Sequence, residues 1–222
     1  MSYFSIKELF ENEINEIWRS FSKIEICQRG YALQDEILKS AIMFIGINPS
    51  FNLKTDKNGC SFYNVNQEGK SHNYFNKFKE IAKSCNQSWT HFDLLFFRET
   101  NQKYIIELLN NPEGVNFIFQ QLIISKKIIE RAKPKVLIIS NTMARQFMGF
   151  DKNIKLKKGV WMGFDFAFDD IRGTHKIINH IELENTPVFF TSMLTGQRAL
   201  DKGSFERLKW HVKMVLEKSI KN

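Results

Sequence analysis

Apolar residues along the chain repeat with two different spacings, and the alternation between them sets the expected order of elements. Ile6, Leu9, Phe10, Ile14, Ile17, Trp18 and Phe21 fall at three- and four-residue steps. That is one stripe of an amphipathic helix, with Ser5 available as its N-cap. Residues 41–47, "AIMFIGI", form a short continuous apolar run, the pattern of a strand covered on both faces. A polar stretch over 52–71 follows, and then a helix over 72–85 that buries Tyr74, Phe75, Phe78 and Ile81. Residues 90–97, "THFDLLFF", read as a second strand, 101–110 as a short helix and 115–132 as a longer one. Lys133-Pro134 stops that helix, because a residue before proline avoids the α region. "KVLIIS" is a third buried strand, and "NTMARQFM" a helix with Asn141 or Thr142 as cap. Residues 159–170 and 174–183 form a hairpin turning near Arg172-Gly173, "VFFTSM" is a further strand, and a helix capped by Ser204 closes the chain. Strands alternate with helices, so the expected fold is α/β: a three-layer α/β/α arrangement around a central, mostly parallel sheet. One domain spans residues 1–222, with a helical N-terminal segment over about 1–40.

Composition narrows the class. A chain of 222 residues, 43% of them hydrophobic, is long enough to bury one full core. No run of 18 apolar residues occurs, and the start of the chain turns acidic and amphipathic at once, so neither a membrane span nor a signal peptide is expected. Cys27, Cys60 and Cys85 are far apart and odd in number, which fits a reducing cytoplasm. The net charge of +8 favours an anionic partner, nucleic acid above all. The phosphate-loop, dinucleotide and nucleophile-elbow motifs are absent, and no metal-ligand pattern is visible. His175 and His180 are expected on opposite faces of one strand.

In open α/β sheets ligands bind beyond the carboxyl ends of the strands. Three loops fall there: after Ile47, after Phe97 and after Phe190. The first carries "GINPS". "IMFIGINPSFN" resembles the first motif of the uracil-DNA glycosylase superfamily, in its mismatch-specific uracil/thymine branch, where a buried strand ends in Gly-x-Asn-Pro-Gly. The resemblance continues in order. "SHNYFNKFKEIAKS" is similar to that branch's helix after an aromatic-bearing loop, "FDLLFFRETN" to its Asp-Leu segment, and "KPKVLIIS" to its Lys-Pro-x-Val strand. "VFFTSMLTGQRAL" falls where the second motif, His/Asn-Pro-Ser, belongs, but Phe190-Thr191-Ser192 matches it only at Ser192.

The resemblance implies a base flipped out of nucleic acid into a pocket and release of that base by hydrolysis of its N-glycosidic bond. Asn48 stands at the residue that holds the attacking water. Gly46, Ile47, Pro49 and Ser50 form the turn around the substrate, and Phe62 or Tyr63 is placed to stack on the base. Ser192 takes the substrate-contacting position of the second motif. Leu194 and Arg198 fall where a wedge and plug fill the vacated stack, and Arg198, Lys202 and Arg98 are candidates for phosphate contact. The same residues have ordinary roles too: Asn before Pro starts turns, and Leu194 suits a core. The expected partner is nucleic acid, DNA before RNA, with a monomeric protein, no metal and no cofactor. Four-cysteine iron–sulfur branches are excluded by the cysteine count. Two alternatives remain open: a catalytically silent nucleic-acid-binding module, and an enzyme or binder of small nucleotides or nucleobases.

Overall fold

The computed structural model describes residues 2–65, 72–149, 161–196 and 199–218. The chain opens with β1 (Tyr3–Ser5) and α1 (Ile6–Ser20), where Ser5 accepts from the Glu8 amide as the N-cap. A 3-10 turn (Glu25–Arg29) leads to β2 (Ala32–Gln34) and β3 (Glu36–Leu38). The first 40 residues are therefore not helical throughout, as expected from the sequence, but hold three short strands as well. β1 pairs antiparallel with β3, and β2 pairs in parallel with β5 (Ser61–Tyr63), which lies inside the stretch read as a polar loop. Strands of three residues are too short to show an alternation.

The main sheet begins with β4 (Ile42–Gly46), buried at every position. A 3-10 turn (Asn73–Phe75) capped by His72 precedes α2 (Asn76–Ser84), which returns the chain to β6 (Trp89–Asp93). Then α3 (Lys103–Leu109) and α4 (Pro112–Ala132) cross to β7 (Val136–Ile139). Asn111 caps α4 with Pro112 in the first turn, and Lys133 ends it at a left-handed φ of 45°. α5 (Thr142–Met148), capped by Asn141, follows. The hairpin β8 (Phe166–Asp169) and β9 (Thr174–Ile177) turns at Gly173, whose φ is +67°. β10 (Pro187–Phe190) and α6 (Lys202–Lys218) complete the chain. Asp201, not Ser204, caps α6: it accepts from the Ser204 amide at 3.0 Å and hydroxyl at 2.6 Å. His180 lies beyond β9 and bonds Glu130 of α4 at 2.8 Å.

Among the described residues the fold is mixed α/β, with six α-helices and a six-stranded sheet of order β6-β4-β7-β10-β9-β8. β6, β4, β7 and β10 are parallel, and the β9–β8 hairpin adds an antiparallel edge. Side chains alternate between two cores, as the strand period requires. Met43, Ile45, Leu137 and Ile139 join one cluster with α1, α4 and α5, while Ile42, Phe44, Val136 and Ile138 join another with α2 and α6. From β4 the chain runs to β6 on one side, and later to β7 on the other. The strand order reverses at β4, and a crevice opens at the carboxyl ends there.

The second strand stops at Asp93, four residues before the expected end. Residues 94–97 are buried but irregular, so their backbone groups need partners from elsewhere. α4 supplies two: Gln121 accepts from the Phe96 amide at 2.7 Å, and Ser125 donates to the Leu94 carbonyl at 2.7 Å. This explains why an apolar helix face carries two fully buried polar residues. Replacing Gln121 with Leu leaves the Phe96 amide unsatisfied in the core, at a cost of about 1–3 kcal/mol. The urea midpoint of Gln121→Leu is expected to fall with the slope unchanged. Gln120→Leu on the same helix should move stability by no more than about 0.5 kcal/mol; equal effects would refute the pinning role.

Candidate functional site

The crevice holds a cavity of about 480 Å³, lined by Asn48, Tyr63, Tyr74, Asp93 and Arg98, and by Ser140 beyond β7, among others. Its rim is made by two loops that run side by side. Leu94 and Leu95 donate to the carbonyls of Gly46 and Ile47 at 3.3 and 2.9 Å, and Glu99 donates to Pro49 at 2.9 Å. The Thr100 hydroxyl donates to the Phe51 carbonyl at 2.8 Å and accepts from its amide at 3.1 Å. The turn after β4 is thereby held over nearly its whole length.

Asn48 is fixed within that frame. Its Nδ2 donates to the Glu99 carbonyl at 2.6 Å and to the Pro49 carbonyl at 2.9 Å. Both partners are acceptors, so the amide can sit only one way round. The Oδ1 atom therefore turns away from them, and it carries no hydrogen bond among the described residues. A half-buried amide oxygen held in this way is a ready acceptor for a water or a ligand N–H.

The floor of the cavity carries a second polar group, from the end of β6. The β4–β6 register sets Gly46 beside Asp93. A Cβ on residue 46 would lie 2.0 Å from the Asp93 Oδ1. The overlying carboxyl, rather than turn geometry, is what excludes a side chain at Gly46. Burial pushes the Asp93 carboxyl up to about 7. His91, two residues earlier on the same face, is enclosed by the rings of Tyr74, Phe75 and Phe78. Burial pushes its imidazole down to about 3, and neither ring nitrogen finds a partner among the described residues. Its Nε2 is 3.7 Å from the Asp93 Oδ1, too far for a hydrogen bond, and the neutral ring makes no ion pair. Burial foremost, and the Asp93 charge next, raise the Tyr63 and Tyr74 phenols, so both keep their protons.

Gly46, Ile47, Asn48, Pro49, Ser50, Tyr63 and Arg98 all line this cavity, as does Met193 from the loop after β10. Phe62 does not: neighbouring strand residues face opposite ways, and Phe62 packs on Tyr31 in the core. Arg98 lies over the Phe51 ring and is engaged with the Lys57 carbonyl at 2.8 Å and Asp56 at 3.4 Å, holding the loop rather than standing free for a phosphate. Ser192 is exposed and outside the cavity lining. Leu194 is 1% exposed and packs with Phe205 and Val212 in the core, which does not fit a wedge at a base stack. Lys202 is exposed at the start of α6, away from the lining, and Arg198 lies outside the described residues.

Asp93, His91 and Tyr74 were not singled out from the sequence. The available signal was a carboxylate and an imidazole inside "THFDLLFF", an otherwise apolar strand, where a charge is out of place unless the strand ends at a site. Among the described residues no helix is long and apolar enough to cross a membrane, and no group of three or more His, Cys, Asp or Glu is placed to hold a metal ion. Comparison with protein-family models, curated proteins and solved structures finds no match to this chain.

The two buried groups set opposite pH dependences. Folded Asp93 keeps its proton to about 7 against an ordinary 3.8, so its contribution to stability is lost as pH rises across that interval. Folded His91 titrates near 3 against an ordinary 6.5, so its contribution is lost as pH falls across that one. Between about pH 4 and 6.5 they oppose each other. In urea titrations Asp93→Asn should leave stability rising with pH in this window, and His91→Phe should leave it falling. The same slope in both variants would contradict the assignment.

Proposed function

We propose that the chain has the three-layer α/β/α arrangement of the uracil-DNA glycosylase-like proteins. On this reading it binds nucleic acid, DNA before RNA, and hydrolyses the N-glycosidic bond of a flipped uracil or other altered base. The observation that carries this reading is Asn48: it lines the cavity with its amide nitrogen clamped by two backbone carbonyls, and its Oδ1 has no hydrogen bond among the described residues. As the bond breaks, the sugar gains cationic character and a water must meet its C1′ atom. An amide oxygen orients such a water without acting as a strong base, so the rate gain comes from positioning. The base would lie against Tyr63, Tyr74 and Phe75, and a cavity of about 480 Å³ is in the range of small-ligand sites. The net charge of +8 suits a polyanionic partner.

One observation favours a second reading. The loop after β10 gives the cavity Met193 while Ser192 is exposed, so none of Phe190, Thr191 and Ser192 lines the cavity. A binding module without catalysis is the alternative.

Single-turnover excision from uracil- and mismatch-containing oligonucleotides, single- and double-stranded, separates the two. The hydrolase reading expects base release, slowed by about 100-fold or more in Asn48→Ala with the folded state retained. Binding without release supports the module. A slope of log affinity against log salt near zero would count against both.

A further inference from the structure

Asp93 ends β6 as a largely, not fully, buried carboxyl. Its side chain is 13% exposed, facing the cavity, with Gly46 closing the space beneath Oδ1. No hydrogen bond reaches it among the described residues. The groups around it are His91 on its own strand, Tyr63 of β5 and Tyr74 of the turn before α2. Across the cavity are His72, Arg98 and Glu99. The Arg98 guanidinium is committed to Asp56 and Lys57, and Glu99 to Arg29 at 2.5 Å. None of these groups, the Tyr63 and Tyr74 hydroxyls and His72 included, donates a hydrogen bond to the Asp93 carboxyl among the described residues. A ligand can remedy this with two N–H donors, or the acid can keep its proton and act as the donor. Burial without a partner favours the second.

We propose that Asp93 is the acid of this site: it meets the bound base as a carboxylic acid, donates its O–H to an acceptor atom on the ring edge, and passes that proton to the base as the bond to the sugar breaks. The second half of this role rests on the hydrolase reading; the first does not. In the full step the C1′–N bond breaks and its electron pair stays with the base. The Asp93 proton neutralises the departing base. Water held at Asn48 bonds through oxygen to C1′, and the proton it sheds returns to the Asp93 carboxylate through solvent. The net change is addition of one water. This accounts for how the site works without the polarising residue that Phe190-Thr191 replaces.

The test measures binding of single-stranded oligonucleotides carrying one deoxyuridine or one deoxyinosine, each against the same strand with an abasic site, from about pH 5.5 to 8.5. The part of the affinity owed to the base should fall by up to about tenfold per pH unit above neutrality in the wild-type protein. In Asp93→Asn it should stay level, because the carboxamide keeps a donor at every pH. Excision by Asp93→Asn should drop by about 100-fold or more, because an amide donates a hydrogen bond but not a proton. A base contribution that is absent or independent of pH in the wild type would overturn the proposal, as would Asp93→Asn excising at the wild-type rate. Binding with the expected pH profile but no excision by the wild type would remove the hydrolase reading and support Asp93 as the donor to the base.

Discussion

The parallel pairing of β4 with β6 is the constraint from which the site follows. Its register brings Gly46 and Asp93 together at the carboxyl edge of the sheet. Only a glycine leaves room for the carboxyl, and the carboxyl in turn lies where water is scarce. The two strands end together, so the loops that leave them run in contact and bond to each other from Gly46 to Thr100. That contact places the Glu99 carbonyl under the Asn48 amide and decides which way the amide faces. A slip of one residue in this pairing would turn Asp93 to the opposite face of the sheet.

Rigidity at the rim has its own sources. The guanidinium groups of Arg29 and Arg98 both lie over the Phe51 ring, at 5.2 and 4.7 Å from its centre, and both arginines are tied to acids. Behind β6, Gln121 and Ser125 satisfy the irregular backbone that the strand end leaves in the core. The site thus sits on supported loops, with two opposed polar elements: an amide whose orientation is fixed by neighbours, and an acid whose protonation is set by having none. The +8 charge is a property of the whole chain, whereas the cavity itself is polar and aromatic.

Much of this architecture was legible in the sequence. The continuous run before Gly46, the period of α1 and α4, the break at Lys133-Pro134 and the turn at Gly173 each have a local physical cause and are found in the structure, although Leu9 of the α1 stripe is exposed and α4 begins at Pro112 rather than at 115. Other features depend on contacts that no local pattern encodes. β2, β3 and β5 exist only through pairing with distant partners. Phe62 and Tyr63 are equivalent by composition, and only the strand's parity separates the core ring from the cavity ring. Leu194 suits a wedge or a core equally well by chemistry, and packing against α6 decides it. Asp93 was hidden because its strand reads as longer than it is: the apolar residues 94–97 continue the pattern after the hydrogen-bonded strand has ended.

Everything assigned to this cavity turns on a carboxyl without a hydrogen-bond partner that keeps its proton up to about pH 7. An NMR titration of the Asp93 carboxyl carbon, assigned by its loss in Asp93→Asn, tests it most directly. The midpoint is expected at about 7. A midpoint at the ordinary carboxylate value, about 4, would contradict it.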